Sequence, residues 1–113
     1  MRKFVARVER SDLEPGKLVR VKYPPFDVVV TNVDGEIFAI EDACNHAGAA
    51  LSKGWIEENR IVCPVHGFVF CMRTGELLAP EGLCQGQRTF VVRPAEAGEA
   101  VEVFDEYEIE VKL

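Results

Sequence analysis

The chain lacks any apolar run able to cross a bilayer. Its apolar stretches, such as Val28-Val29-Val30 and Ile61-Val62-Cys63-Pro64-Val65, fall far short of the roughly 20 residues a spanning helix needs. It also lacks a basic surplus: 13 Lys+Arg stand against 19 Asp+Glu, a net charge of −6, so no cationic face is expected to neutralise nucleic-acid phosphates. An export signal is not expected either. The start, Met1-Arg2-Lys3-Phe4-Val5-Ala6-Arg7, is basic, but charges return before an apolar segment can build, and the cytoplasm is the expected location. The 9 glycines and 6 prolines show no repeat, which excludes a solenoid. What is present is ordinary: 113 residues, 48% hydrophobic and 28% charged, enough for one globular domain with a modest core.

Charge is unevenly placed. Residues 1–23 carry seven basic and three acidic side chains, and residues 95–113 carry seven acidic and one basic. Two readings coexist: the ends pair as neighbouring strands of complementary charge, and an acidic face steers the protein toward a basic partner.

The pattern is mostly β. Phe4–Val8 and Lys17–Val21 alternate with period two, and Pro24-Pro25 stops the second. Asp27–Val33 and Glu36–Ile40 flank Asp34-Gly35, the strongest hairpin signal in the chain. Short strands are expected at 60–62 and 68–70, then at 88–93, 100–104 and 107–111, the last two joined through Asp105-Glu106. Pro15-Gly16 limits any helix starting at Ser11 to one turn. Loops are expected at 42–52 and 79–86. This spacing predicts a small antiparallel sandwich or barrel.

Four cysteines without an export signal suggest metal binding, redox work or quiet burial rather than disulfides. The only two histidines each follow a cysteine closely, as Cys44-Asn45-His46 and Cys63-Pro64-Val65-His66, with Gly48 and Gly67 just behind. Thiolates favour zinc, copper or iron–sulfur centres, and imidazole suits zinc and iron. Three readings are open: coincidence, a structural zinc site and a [2Fe–2S] cluster with two histidines on one iron. Zinc sites usually group cysteines with cysteines and histidines with histidines, unlike the alternation here.

At these residues the chain resembles the Rieske family, whose signature is Cys-x-His-x-Gly in one loop and Cys-x-x-His-Gly in another. Both are complete, as Cys44-His46-Gly48 and Cys63-His66-Gly67, with further resemblance from about Glu36 to Gly82, including Arg73-Thr74-Gly75-Glu76. The resemblance implies an all-β Rieske fold. A cluster-binding subdomain, about 41–84, is then inserted in a β base formed by 1–40 and 85–113 of one domain, 1–113. It further implies one [2Fe–2S] cluster held by Cys44 and Cys63 on a buried iron, with His46 and His66 on an outer iron.

Such a cluster is formally neutral when oxidised, where an all-cysteine cluster is dianionic, so its potential falls within roughly −150 to +300 mV. The family's high-potential branch adds a cysteine to each loop, plus a serine and a tyrosine that donate to sulfur. Here those four positions are Ala49, Val65, Phe68 and Phe70. Fewer donors stabilise the reduced cluster less, and a low potential is expected.

Cys71 and Cys84 are read as ordinary thiols, Trp55 as packing under the first loop, and 79–82 as a covering loop or a plain turn. Ala47, Ala49, Ala50, Leu51, Pro64 and Val65 are candidates for an apolar collar around the imidazoles, or for a shield that keeps water from the cluster. No nucleophile with its base and no phosphate loop is recognisable, so the chain is read as an electron carrier rather than an enzyme. The resemblance implies a soluble, stand-alone ferredoxin, expected to be a monomer. It takes electrons from a flavin-containing NAD(P)H reductase and passes them to a terminal oxygenase by weak, salt-sensitive docking near His46 and His66. The alternatives are a small subunit of a larger reductase, such as assimilatory nitrite reductase, and a redox-inert zinc-stabilised interaction module.

Overall fold

The computed structural model describes residues 2–24, 27–43, 50–65, 67–79, 87–96 and 98–106. Ten strands are described: β1 Arg2–Glu9, β2 Leu18–Val21, β3 Val28–Val33, β4 Glu36–Glu41, β5 Trp55–Glu57, β6 Arg60–Val62, β7 Val69–Cys71, β8 Leu77–Ala79, β9 Thr89–Pro94 and β10 Ala100–Glu106. They form a six-stranded sheet in the order β1-β10-β9-β4-β3-β2 and a four-stranded sheet in the order β5-β6-β7-β8. Neighbours within each sheet pair antiparallel. Single 3-10 turns at Arg10–Asp12 and Leu51–Lys53 are the helical elements among the described residues.

The larger sheet is a wall between two cores. Successive side chains of a strand point to opposite faces, so β3 sends Val28 and Val30 into one cluster and Val29 into the other. β4 divides in the same way, Ala39 to the first and Ile40 to the second. The inner cluster gathers Val8, Leu13, Val101 and Val103. The outer one joins the wall to the smaller sheet through Ile61, Phe70 and Met72, with Ile56 and Leu77 at its margin. With both faces covered, Val28, Val29, Val30 and Thr31 are all buried, and Thr31 Oγ1 donates to the Lys17 carbonyl at 2.8 Å.

The basic start and acidic end do pair, as β1 against β10, and Arg2 bridges Glu106 at 2.7 Å. The Asp34-Gly35 turn joins β3 to β4, its Gly35 N–H donating to Asn32 Oδ1 at 2.7 Å. The expectation that Asp105-Glu106 is a turn is corrected. Both residues continue β10, opposite Lys3 and Arg2. Asp105 is buried there because Tyr23 Oη donates to it at 2.6 Å and Arg88 pairs with it. The expected strand at 107–111 lies outside the described residues. β5 and β8, the edge strands of the smaller sheet, lie outside the strands expected from the sequence. Trp55, expected as packing, is 48% exposed: β5 is an edge strand, and Trp55 sits one register step from the core-facing Ile56–Ile61 pair, so it points outward.

Candidate metal centre

The second Cys-His segment forms the connection between β6 and β7. Cys63 N–H donates to the Phe68 carbonyl at 2.7 Å, and Gly67 N–H donates back to the Cys63 carbonyl at 3.0 Å. Gly67 has φ +69°, the left-handed region where a side chain is strained, and this lets so short a connection turn back. Pro64 and Val65 are exposed, whereas Cys63 is 1% exposed and packs with Leu51, Phe68, Phe70 and Met72. Its thiol is free of any disulfide. A buried thiol on a strand end facing an apolar cluster suits a soft metal bond shielded from water.

The first segment leaves from Ala43 and returns at Ala50, and these two residues form an antiparallel bridge. Asp42, 2% exposed, closes the base. Its carbonyl accepts from Leu51 N–H at 2.6 Å, and its carboxylate accepts from Ser52 N–H at 2.6 Å and Ser52 Oγ at 2.8 Å. Arg20 approaches the same carboxylate at 3.3 Å and pairs with Asp27 at 2.7 Å. The Tyr23 backbone N–H, then Arg20, hold the Asp27 carboxyl below its ordinary value. Burial raises Glu41, and Arg88 opposes that only partly.

Of the four expected ligands, Cys63 is described; Cys44, His46 and His66 lie outside the described residues, as does Cys84. Among the described residues no cluster of three or more His, Cys, Asp or Glu could hold a metal. What the fold brings together are the loop ends, since Leu51 after the first loop and Cys63 and Phe68 around the second share one core cluster. Leu51 is therefore a core residue and not part of an exposed collar, while Ala50 is half-buried. Cys71 is half-buried and free. Burial pushes its thiol up, but hydrogen bonds from the Thr74 hydroxyl and the Thr74 and Arg73 backbone outweigh this, leaving it below the ordinary value.

Sequence reasoning missed Asp42, Ser52 and Gln87. Asp42 opens a segment read simply as a loop, and Gln87 carries no local signal because its partners, Glu41 and Ala43, are more than 40 residues away. A separate cleft of about 580 Å³ lies between the β3–β4 and β5–β6 turns, lined by Asp34, Glu36, Phe38, Glu58 and Arg73. There Arg73 bonds Glu36 at 2.7 Å and stacks over Phe38, bridging the two sheets.

Comparison with known proteins agrees with this architecture. The ferredoxin component of biphenyl 2,3-dioxygenase from Rhodococcus jostii is 44% identical over 83 residues, 74% of this chain and 77% of that protein. The solved Sphingomonas yanoikuyae B1 ferredoxin superposes with a TM-score of 0.77 at 28% identity, covering 90% of this chain and 99% of its own. The structure of a complex of reduced oxygenase and oxidised ferredoxin in carbazole 1,9a-dioxygenase contains a chain matching with TM-score 0.75 at 32% identity, over 85% of this chain and 96% of that one. Residues 3–101 match the Rieske [2Fe–2S] domain, and the chain belongs to that family.

Proposed function

We propose that the chain is a Rieske-type ferredoxin carrying single electrons from a flavin-containing NAD(P)H reductase to a terminal oxygenase. The observation that carries this is the Cys63–Gly67 turn, with its buried, disulfide-free thiol, in a chain so similar to a dioxygenase ferredoxin component. The donor set fits the group. Cys44 and Cys63 would hold one iron of a [2Fe–2S] cluster and His46 and His66 the other, with residues 41–84 as the cluster-binding unit set into a base of 1–40 and 85–113. Such a cluster, when bound, supplies one-electron chemistry at a potential above that of all-cysteine clusters.

The chain's own residues set the conditions. Leu51, Phe68, Phe70 and Met72 exclude water from the Cys63 side. Exposed Pro64 and Val65 flank the histidine-bearing turn, and docking is proposed there. A net charge of −6 makes that docking weaken with added salt. Phe68 and Phe70 lie in the same cluster as Cys63 and carry no hydroxyl, so the potential is placed near the bottom of the roughly −150 to +300 mV range. Voltammetry checks this: Phe68→Ser with Phe70→Tyr is expected to raise the midpoint, and a clearly positive wild-type midpoint at neutral pH contradicts it.

Reconstitution tests the carrier role. With NADH, a flavin reductase and the terminal oxygenase of an aromatic-ring dioxygenase, adding the protein is expected to restore oxygenase turnover. A protein that is reduced by dithionite but passes no electron to such an oxygenase, and that co-purifies with a larger reductase, contradicts it in favour of a fixed subunit.

A further inference from the structure

Gln87 stands where three segments meet. Its side-chain nitrogen donates to the carbonyls of Glu41 at 3.1 Å and Ala43 at 2.5 Å. Its backbone N–H donates to the Gly75 carbonyl at 2.6 Å. Its own carbonyl lies so near Gly75 that a Cβ there would sit 2.0 Å from it, so only glycine permits the approach. The next residue continues the attachment, the Arg88 carbonyl accepting from Glu41 N–H at 2.8 Å. Gln87 is 4% exposed.

A primary amide suits this place, because one nitrogen carries two N–H donors for two carbonyls and brings no charge to desolvate. The two carbonyls belong to the last residues before Cys44, Glu41 ending β4 and Ala43 the residue whose bridge to Ala50 closes the first loop. We infer that Gln87 is a positioning residue, fixing the chain that delivers Cys44 and His46 against the segment following β7. The inference rests on the reading above that Cys44 and His46 are cluster ligands. Asp42 and Ser52 close the loop upon itself, and Arg20 and the Asp27 carbonyl tie Asp42 to the β2–β3 side, whereas Gln87 ties the loop base to the segment following β7.

The test compares three holoproteins: wild type, Gln87→Met, which keeps the side chain's volume and removes both donors, and Leu13→Ala, which opens the inner core instead. Gln87→Met is expected to lose iron to a chelator about 10- to 100-fold faster than wild type. Its paramagnetic resonance lines are expected to broaden as ligand geometry becomes heterogeneous. Leu13→Ala is expected to lower Tm and leave both readouts unchanged at a temperature well below unfolding. A Gln87→Met loss rate within twofold of wild type, with a superimposable spectrum, overturns the inference while leaving the ligand reading intact. A wild type without iron, or with an all-cysteine spectrum, overturns the ligand reading and this inference together. If Gln87→Met does not fold, Gln87→Asn replaces it: its amide falls one methylene short of the carbonyls, and the same readouts decide with the same signs.

Discussion

The larger sheet rests on strands of up to eight residues, paired by long registers, with an apolar cluster on each face. The smaller sheet has four strands of three residues apiece, one apolar face and an edge at β5 that leaves Trp55 half exposed. Strands so short are marginal alone, and they gain order by packing on a partner. The difference separates two sources of order. Burial of apolar surface accounts for the larger sheet. The ends of the connections that carry the proposed ligands are instead fixed by a few polar anchors, Asp42, Ser52 and Gln87, and by the outer core that reaches Cys63.

Five substitutions would break or sharpen that contrast, in falling order of effect. Cys63→Ala is expected to abolish bound iron and visible absorption while far-UV dichroism keeps its β signature. Metal analysis and dichroism on one sample check both halves. Next, Phe70→Ala and Leu13→Ala should each destabilise the fold, by about 3–5 and 2–5 kcal/mol respectively, as buried side chains of these sizes do. Denaturant unfolding measures this. Only Phe70→Ala, in the cluster shared with Cys63, should also speed cluster loss; equal loss rates would erase the distinction between the two cores.

A smaller effect concerns Asp27. Its folded carboxyl lies below its ordinary value, so the native state binds that proton less readily than the unfolded chain. The stability it contributes is present above the unfolded pKa and is lost as pH falls through the folded one. Wild type and Asp27→Asn should therefore differ in Tm at neutral pH and converge in acid, below about pH 4. Thermal scans across pH check this, and a gap that widens in acid has the wrong sign. Smallest is Arg73→Ala. Its exposed pair with Glu36 bridges the sheets, but such pairs contribute about 0–1 kcal/mol and are screened by salt. Unfolding at low and high salt should show the difference shrinking.

How far the sequence reveals this molecule follows the same division. Period-two alternation and Asp34-Gly35 announce β3 and β4, because one turn and one local register specify them. Complementary end charges announce the pairing of β1 with β10. The edge strands β5 and β8 are silent, whereas the equally short β6 and β7 stand out as apolar runs on either side of the second Cys-His segment. Asp105 reads as a turn until Tyr23 and Arg88, from distant parts of the chain, are seen to satisfy it. The proposed ligand pattern, Cys44-His46 and Cys63-His66, is local and legible. Gln87 is not, since its role is created by contacts across more than 40 residues.

The central claim is that two thiolates and two imidazoles share one pair of irons. Paramagnetic resonance of the dithionite-reduced protein tests it most directly. The account predicts a signal whose average g-value lies below that of an all-cysteine [2Fe–2S] cluster and which is lost when His46 and His66 are replaced. An all-cysteine average, or a signal indifferent to both histidines, would contradict it.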